Sequence, residues 1–210
     1  MKYWDWAVPD VVAAILAAGA DVNAPVKASD TSRQPVDEGR TPLMLAAGRG
    51  WHALVKQLLA AEANPNLRSA PTLRVTALGM AAGCEDQPPK GRKPKRTDPD
   101  PEGVVRDLLA AGAKPDVWAL ESAAIHGRAE IARLLIAAGA DVNGRGPGGT
   151  TPLHQAVEVN KAELVVLLMA AGADPGIPFP DDHGDNPGMT SLELARKRRK
   201  RLVPLLERRS

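Results

Sequence analysis

The sequence predicts an all-α fold of repeated helix–turn–helix units, on three observations. One short phrase recurs: ILAAGADVN at 15–23, LLAAEANPN at 58–66, LLAAGAKPD at 108–116, LLIAAGADVN at 134–143 and LLMAAGADPG at 167–176. A second phrase recurs upstream of it: TPLMLAA at 41–47, TALGMAA at 76–82, WALESAA at 118–124, TPLHQAV at 151–157 and TSLELAR at 190–196. Finally, only 3% of residues are aromatic against 44% hydrophobic. A core filled by Ala, Leu, Val and Ile suits closely packed helices better than a sandwich or barrel.

The spacing makes these phrases a repeat. The turn residues Gly19, Glu62, Gly112, Gly139 and Gly172 lie 43, 50, 27 and 33 residues apart. From the upstream phrase to the turn residue the distance is 21 in three cases (41 to 62, 118 to 139, 151 to 172) and 36 from 76 to 112. Within a unit, Thr supplies an N-cap oxygen and Pro fills the first helical position, where its missing N–H costs nothing. A short helix such as PLHQAVEV follows, then a tight turn, then a second helix such as KAELVVLLMAA, in which Leu164, Val165, Leu167 and Leu168 recur at helical spacing. The terminal Gly takes the left-handed conformation that ends it. Small Ala residues on the first helix allow close approach of neighbouring helices.

A helix–turn–helix of this length carrying T-P-L-H and G-A-D-V-N resembles the ankyrin repeat family, along nearly the whole chain. The resemblance implies an all-α ankyrin solenoid with about four full repeats and partial repeats at both ends. It implies one domain over 1–210, with units near 1–23, 39–66, 74–116 (carrying an insertion at 84–100), 117–143, 149–176 and 188–210. It also implies that His154 of TPLH bonds backbone between units.

Five of the six units, all but the one at 149–176, depart from the pattern. In the first, Met1 falls inside the first helix, so about one turn remains, covered by Tyr3, Trp4 and Trp6; this is a minimal cap, or an upstream half-repeat is missing. In the second, Glu62 replaces the turn Gly, at a conformational cost. The third holds CEDQPPKGRKPKRTDPDP, about fifteen extra residues whose prolines and charges predict mobility; Asp100-Pro101-Glu102 restarts the helix after it. In the fourth, Trp118-Ala119 replaces Thr-Pro, so that helix start is expected to lack its cap. The last unit, TSLELARKRRKRLVPLLERRS, keeps its first helix and a slightly shortened second one, and as a whole it is very basic, as suits a solvent-facing cap.

The resembled fold places contact residues on first-helix ends and on the fingers that connect units, and the fingers at 23–40 and 174–189 are long. Long loops on a rigid scaffold carry recognition. The candidate contacts are Arg33, Glu38 and Arg40, then Arg68 and Arg74, Arg145, and Phe179, Asp181, Asp182 and His183 on fingers. On first-helix ends they are Arg49, Trp51, His126, Glu158 and Asn160.

Catalytic and metal patterns are not evident. Cys84 lacks a nucleophile signature and reads as a small buried residue; a single cysteine also excludes an internal disulfide. The four histidines have no metal-ligand spacing, and DDHGD at 181–185 lacks the terminal Glu of a calcium loop. GRGPGGT at 144–150 lacks the Lys-Ser/Thr of a phosphate loop and reads as a finger. No stretch is long and apolar enough to span a membrane. The expectation is a non-catalytic, cytoplasmic, monomeric module without cofactor or metal. Through its fingers and concave face it binds a partner protein of unknown identity and regulates, inhibits or localises it. Nucleic acid is an unlikely partner at a net charge of +2. The alternative is a nuclear or nucleic-acid-associated factor using the basic clusters KGRKPKR at 90–96 and RKRRKR at 196–201.

Overall fold

Thr41, Thr76, Thr151 and Thr190 each sit in extended backbone and accept a hydrogen bond on the side chain from the N–H three residues on. The helices they start are α1 (Pro42–Gly48), α3 (Ala77–Ala82), α7 (Pro152–Glu158) and α9 (Ser191–Arg198). Their partners are α2 (His52–Ala60), α4 (Pro101–Ala110), α6 (Ala129–Ala137) and α8 (Ala162–Ala170), with α5 (Val117–Ile125) as the first helix before α6. A 3-10 turn at Lys200–Leu202 leads into α10 (Val203–Leu206), well short of the other second helices. The computed structural model describes residues 13–15, 17–25, 39–69, 75–83, 99–181 and 186–207. Among these, residues outside helices are turns or irregular, apart from one antiparallel bridge between Pro178 and Thr190.

Helices this short are marginal alone, so their stability comes from packing. Chain contacts divide the molecule into two bodies, Met1–Lys114 and Pro115–Ser210. In the first, α1 packs on α3 and α2 on α4. In the second, α5, α7 and α9 form one layer and α6, α8 and α10 the other. Ala46, Ala47, Ala81, Ala82, Ala123, Ala124 and Ala156 are buried on first helices, which confirms their role in close approach. Leu58, Leu108, Leu135 and Leu168 fill the same position on successive second helices and are fully buried. Leu164 and Val165 are buried as expected, whereas Leu167 is only half-buried.

The turn marker is confirmed residue by residue. Gly19, Glu62, Gly112, Gly139 and Gly172 all have positive φ, between 64° and 90°. In each case the next N–H reaches back to the carbonyl five residues earlier: Ala63 to Leu58 at 3.0 Å, Ala113 to Leu108 at 2.9 Å, Ala140 to Leu135 at 3.0 Å and Ala173 to Leu168 at 3.0 Å. This is the Schellman ending, in which a left-handed residue satisfies the last carbonyls. Glu62 makes it at φ 64°, where a Cβ is penalised. Glu62→Gly should therefore stabilise the protein by about 0.5–1 kcal/mol in urea unfolding; a loss of stability would refute the strain.

Two helices start on aspartate caps. Asp100 caps α4, accepting from Gly103 N–H at 2.8 Å, with Pro101 at the first helical position, as expected. The expectation of an uncapped α5 is corrected. The helix begins two residues earlier than the Thr-Pro register, and Asp116 caps it by accepting from Ala119 N–H at 2.8 Å. The Trp118 register gave no hint of this because Asp116 occupies the position filled by Asn143 in the next repeat. There Asn143 reaches forward instead: its Oδ1 accepts from Asp174 N–H at 2.7 Å and its Nδ2 donates to Gly172 O at 3.0 Å. Asp116→Ala should cost about 1 kcal/mol through loss of the cap; an unchanged melting curve would show that the cap contributes nothing.

Candidate partner-binding surface

Of the expected contact residues, Arg33, Glu38, Arg74, Asp182 and His183 lie outside the described residues, as do Cys84, the cluster at 90–96 and Tyr3, Trp4 and Trp6. The rest fall into three groups.

The first group is at the end of α1. A left-handed Gly50 (φ 65°) turns the chain between α1 and α2, and Trp51 N–H closes the turn on Ala46 O at 3.0 Å. This brings Arg49 over the Trp51 ring, with the guanidinium carbon 5.1 Å from its centroid, in reach of a cation–π interaction. Arg49 is exposed and Trp51 half-buried, so the pair offers a charged, flat, partly preformed contact. Arg40 is half-buried before α1, and Arg68 is exposed on the finger that follows α2.

The second group is on the fingers of the C-terminal body. Arg145 is exposed, yet its guanidinium donates to Gly149 O at 2.6 Å and to Pro178 O at 2.9 Å. It ties its own finger to the next one. Asp181 is exposed. The expectation for Phe179 is corrected: the side chain is 2% exposed and stacks on His154 with centroids 3.9 Å apart. Its N–H donates to Met189 O at 2.7 Å, which folds the long finger back and turns the ring inward. A finger longer than the repeat requires can bury an apolar side chain against the layer below it.

The third group is at the helix–helix turns of that body. His126 ends α5, exposed, with Nδ1 2.8 Å from Ser122 O. Asn160 has φ 60° where Gly50 and Gly127 have 65° and 72°. Its side-chain oxygen and its carbonyl accept from Arg201 at 3.0 Å each. Glu158 accepts on Oε1 from Asn186 Nδ2 at 3.4 Å, and its carbonyl accepts from Arg199 at 2.9 Å. Glu158 and Asn160 are thus brought together, but as acceptors for the last repeat. Alignment of the turn positions alone could have flagged this, since Asn160 stands where glycine stands twice.

His154 behaves as the resemblance implies. It is fully buried, with Nδ1 accepting from Thr151 N–H at 3.0 Å, so that Nε2 donates to Ile177 O at 2.9 Å. In the preceding repeat this position is Glu121, which the sequence reading passed over. Its carboxylate is buried and accepts from the Thr150 hydroxyl, and Gln155 donates to the same oxygen at 3.4 Å. Burial raises its pKa above the ordinary 4.5, with the Thr150 and Gln155 hydrogen bonds acting in the opposite direction. Glycine at 146 makes room, since a Cβ there would overlap the carboxylate.

No group of three or more His, Cys, Asp or Glu among the described residues is placed to hold a metal ion, and none of their helices is long and apolar enough to cross a membrane.

Two family models match the chain: an ankyrin repeat model at 38–70, and a model of three ankyrin repeat copies at 100–178. Together they cover more than half of it. The chain belongs to the ankyrin repeat family. No curated protein matches it. The ankyrin repeats explain the recurrent caps and Schellman turns as copies of one unit, and proteins of this family are generally protein–protein interaction modules. The ankyrin register also gives Glu121 its meaning, as a carboxylate in the TPLH histidine position.

Proposed function

We propose that this ankyrin repeat protein is a non-catalytic module that binds a partner protein through its fingers and first-helix ends, and so regulates, inhibits or localises it. The observation that carries this reading is Arg145. By bonding Gly149 O and Pro178 O it joins two consecutive fingers into one edge, leaving Arg145 and Asp181 exposed on it. Fixing a recognition edge beforehand lowers the entropy cost of binding. The Arg49–Trp51 pair adds an anchor of the kind that dominates interfaces. We place the protein in the cytoplasm as a monomer without a cofactor.

The nucleic-acid reading loses support at the basic cluster 196–201. Arg196 pairs with Glu207 at 2.9 Å, and Arg199 and Arg201 are bound to the turn at 158–160. The test is affinity purification from the native cell with mass spectrometry, using the full chain, Arg49→Ala/Trp51→Ala and a deletion of 23–40. Loss of the main partner in either variant locates recognition. A full chain that captures no partner above background would sink the reading.

A further inference from the structure

The near-zero charge of the C-terminal body conceals a separation of sign. Its helix–helix turns stack directly on one another. A Cβ at Gly127 would lie 2.7 Å from Lys161 Cε, and Arg201 grips Asn160 in the next turn. The segments 125–128, 158–161 and 196–201 that form these turns hold eight bases (Arg128, Lys161 and all six residues from Arg196 to Arg201) against one acid, Glu158. The described finger segments 139–150 and 172–181 have the reverse balance: Asp141, Asp174 and Asp181 against Arg145. The outer helices compensate internally, with Arg133 between Glu130 at 3.5 Å and Glu163 at 3.0 Å.

The turn edge also carries an apolar feature. Ile125 is the last residue of α5, where its turn begins, and is 42% exposed. Lys161, Arg198, Lys200 and Arg201 are exposed in the turns stacked beside it. Several cations on one edge raise the local potential well above what the net charge suggests, and select partners by complementary charge.

We propose that this turn edge docks an acidic segment of a protein partner, one in which an apolar side chain among Asp and Glu meets Ile125. A polypeptide fits better than a nucleic acid for two reasons. The turn segments carry no Phe, Tyr or Trp on which bases could stack. In addition, Arg199 and Arg201 already spend guanidinium donors on the turn below, so fewer arginine forks are left on this edge to grip phosphates. The proposal rests on the partner-binding reading but assigns a different edge from the fingers.

The test is fluorescence anisotropy with the full chain and three labelled probes. These are a short Glu/Asp peptide interrupted by leucines, the same peptide with serines for leucines, and a single-stranded oligothymidylate of equal charge. The leucine peptide should bind tightest. Lys161→Glu/Lys200→Glu should weaken it about tenfold or more, and Ile125→Ser should erase its advantage over the serine peptide. Lys161→Gln/Lys200→Gln, checked by circular dichroism, gives the same direction if charge reversal disturbs folding. Tighter binding of the oligothymidylate overturns the proposal. So does a charge reversal that leaves peptide affinity within about twofold, or an equal loss from Asp141→Lys/Asp174→Lys. The two readings fail separately: a native partner still captured by Lys161→Glu/Lys200→Glu sinks this docking edge alone, whereas a full chain that captures none sinks the module itself.

Discussion

Replacing Phe179 by alanine is expected to destabilise the C-terminal body by about 3–5 kcal/mol, the usual cost of truncating a buried aromatic. The ring is 2% exposed and covers the imidazole of His154 at 3.9 Å between centroids. That imidazole in turn donates to Ile177 O at 2.9 Å, in the same finger as Phe179. Truncation would open a cavity and admit water to a hydrogen bond that works because it is dry. Phe179→Leu should recover most of the loss, since it keeps much of the volume. Urea unfolding measures both. A loss below about 1 kcal/mol for the alanine variant would mean that Phe179 is a surface contact after all, and it should then show up in partner affinity instead.

Replacing Glu121 by glutamine should change how stability responds to pH. Burial raises the folded-state pKa of Glu121 above its ordinary 4.5. The folded chain therefore holds this proton where the unfolded chain has released it. The stability contribution of Glu121 is full below 4.5 and is lost as pH rises through the raised folded value, with a slope of at most about 1.4 kcal/mol per pH unit for one proton. The amide cannot titrate, so Glu121→Gln should gain on the wild type as pH rises above 4.5 and then hold a constant lead. Denaturation midpoints across the acid-to-neutral range would show this. A difference that is flat with pH, or one that grows as pH falls, would contradict a buried carboxyl at this site.

Much of the fold was legible because it depends on local chemistry. Threonine caps, left-handed turn residues and buried alanines are set by a residue and its near neighbours, and they repeat, so each copy checks the others. Even the Glu62 substitution was readable, because a left-handed φ follows from the turn and not from the residue that fills it. The cap of α5 was missed because Asp116 stands in the position of a bridging asparagine, and its oxygen serves the nearer N–H instead. Phe179 and Arg145 were misjudged or half-judged because a finger's path is set by what it folds onto. The sequence marks a finger as long; it does not say which side chains it turns inward.

Glu121 and Glu193 mark the boundary most clearly. Both stand in the TPLH histidine position of the repeat register, Glu193 three residues after its cap Thr190 and Glu121 five residues after its cap Asp116. Glu193 is exposed and accepts from Thr190 N–H at 2.8 Å in a capping box, and that backbone donor, followed by the Thr190 hydroxyl, lowers its pKa. Its contribution is present above 4.5 and is lost as pH falls through the lowered value. Glu121 is buried under Gly146 and Thr150, and its pKa moves the other way. The sequence by itself determined the repeat, its helices, its turns and the register that aligns these two residues. Only the tertiary structure decided which one loses water, because desolvation is imposed by a neighbouring segment folded over the site and not by the residues on either side of it.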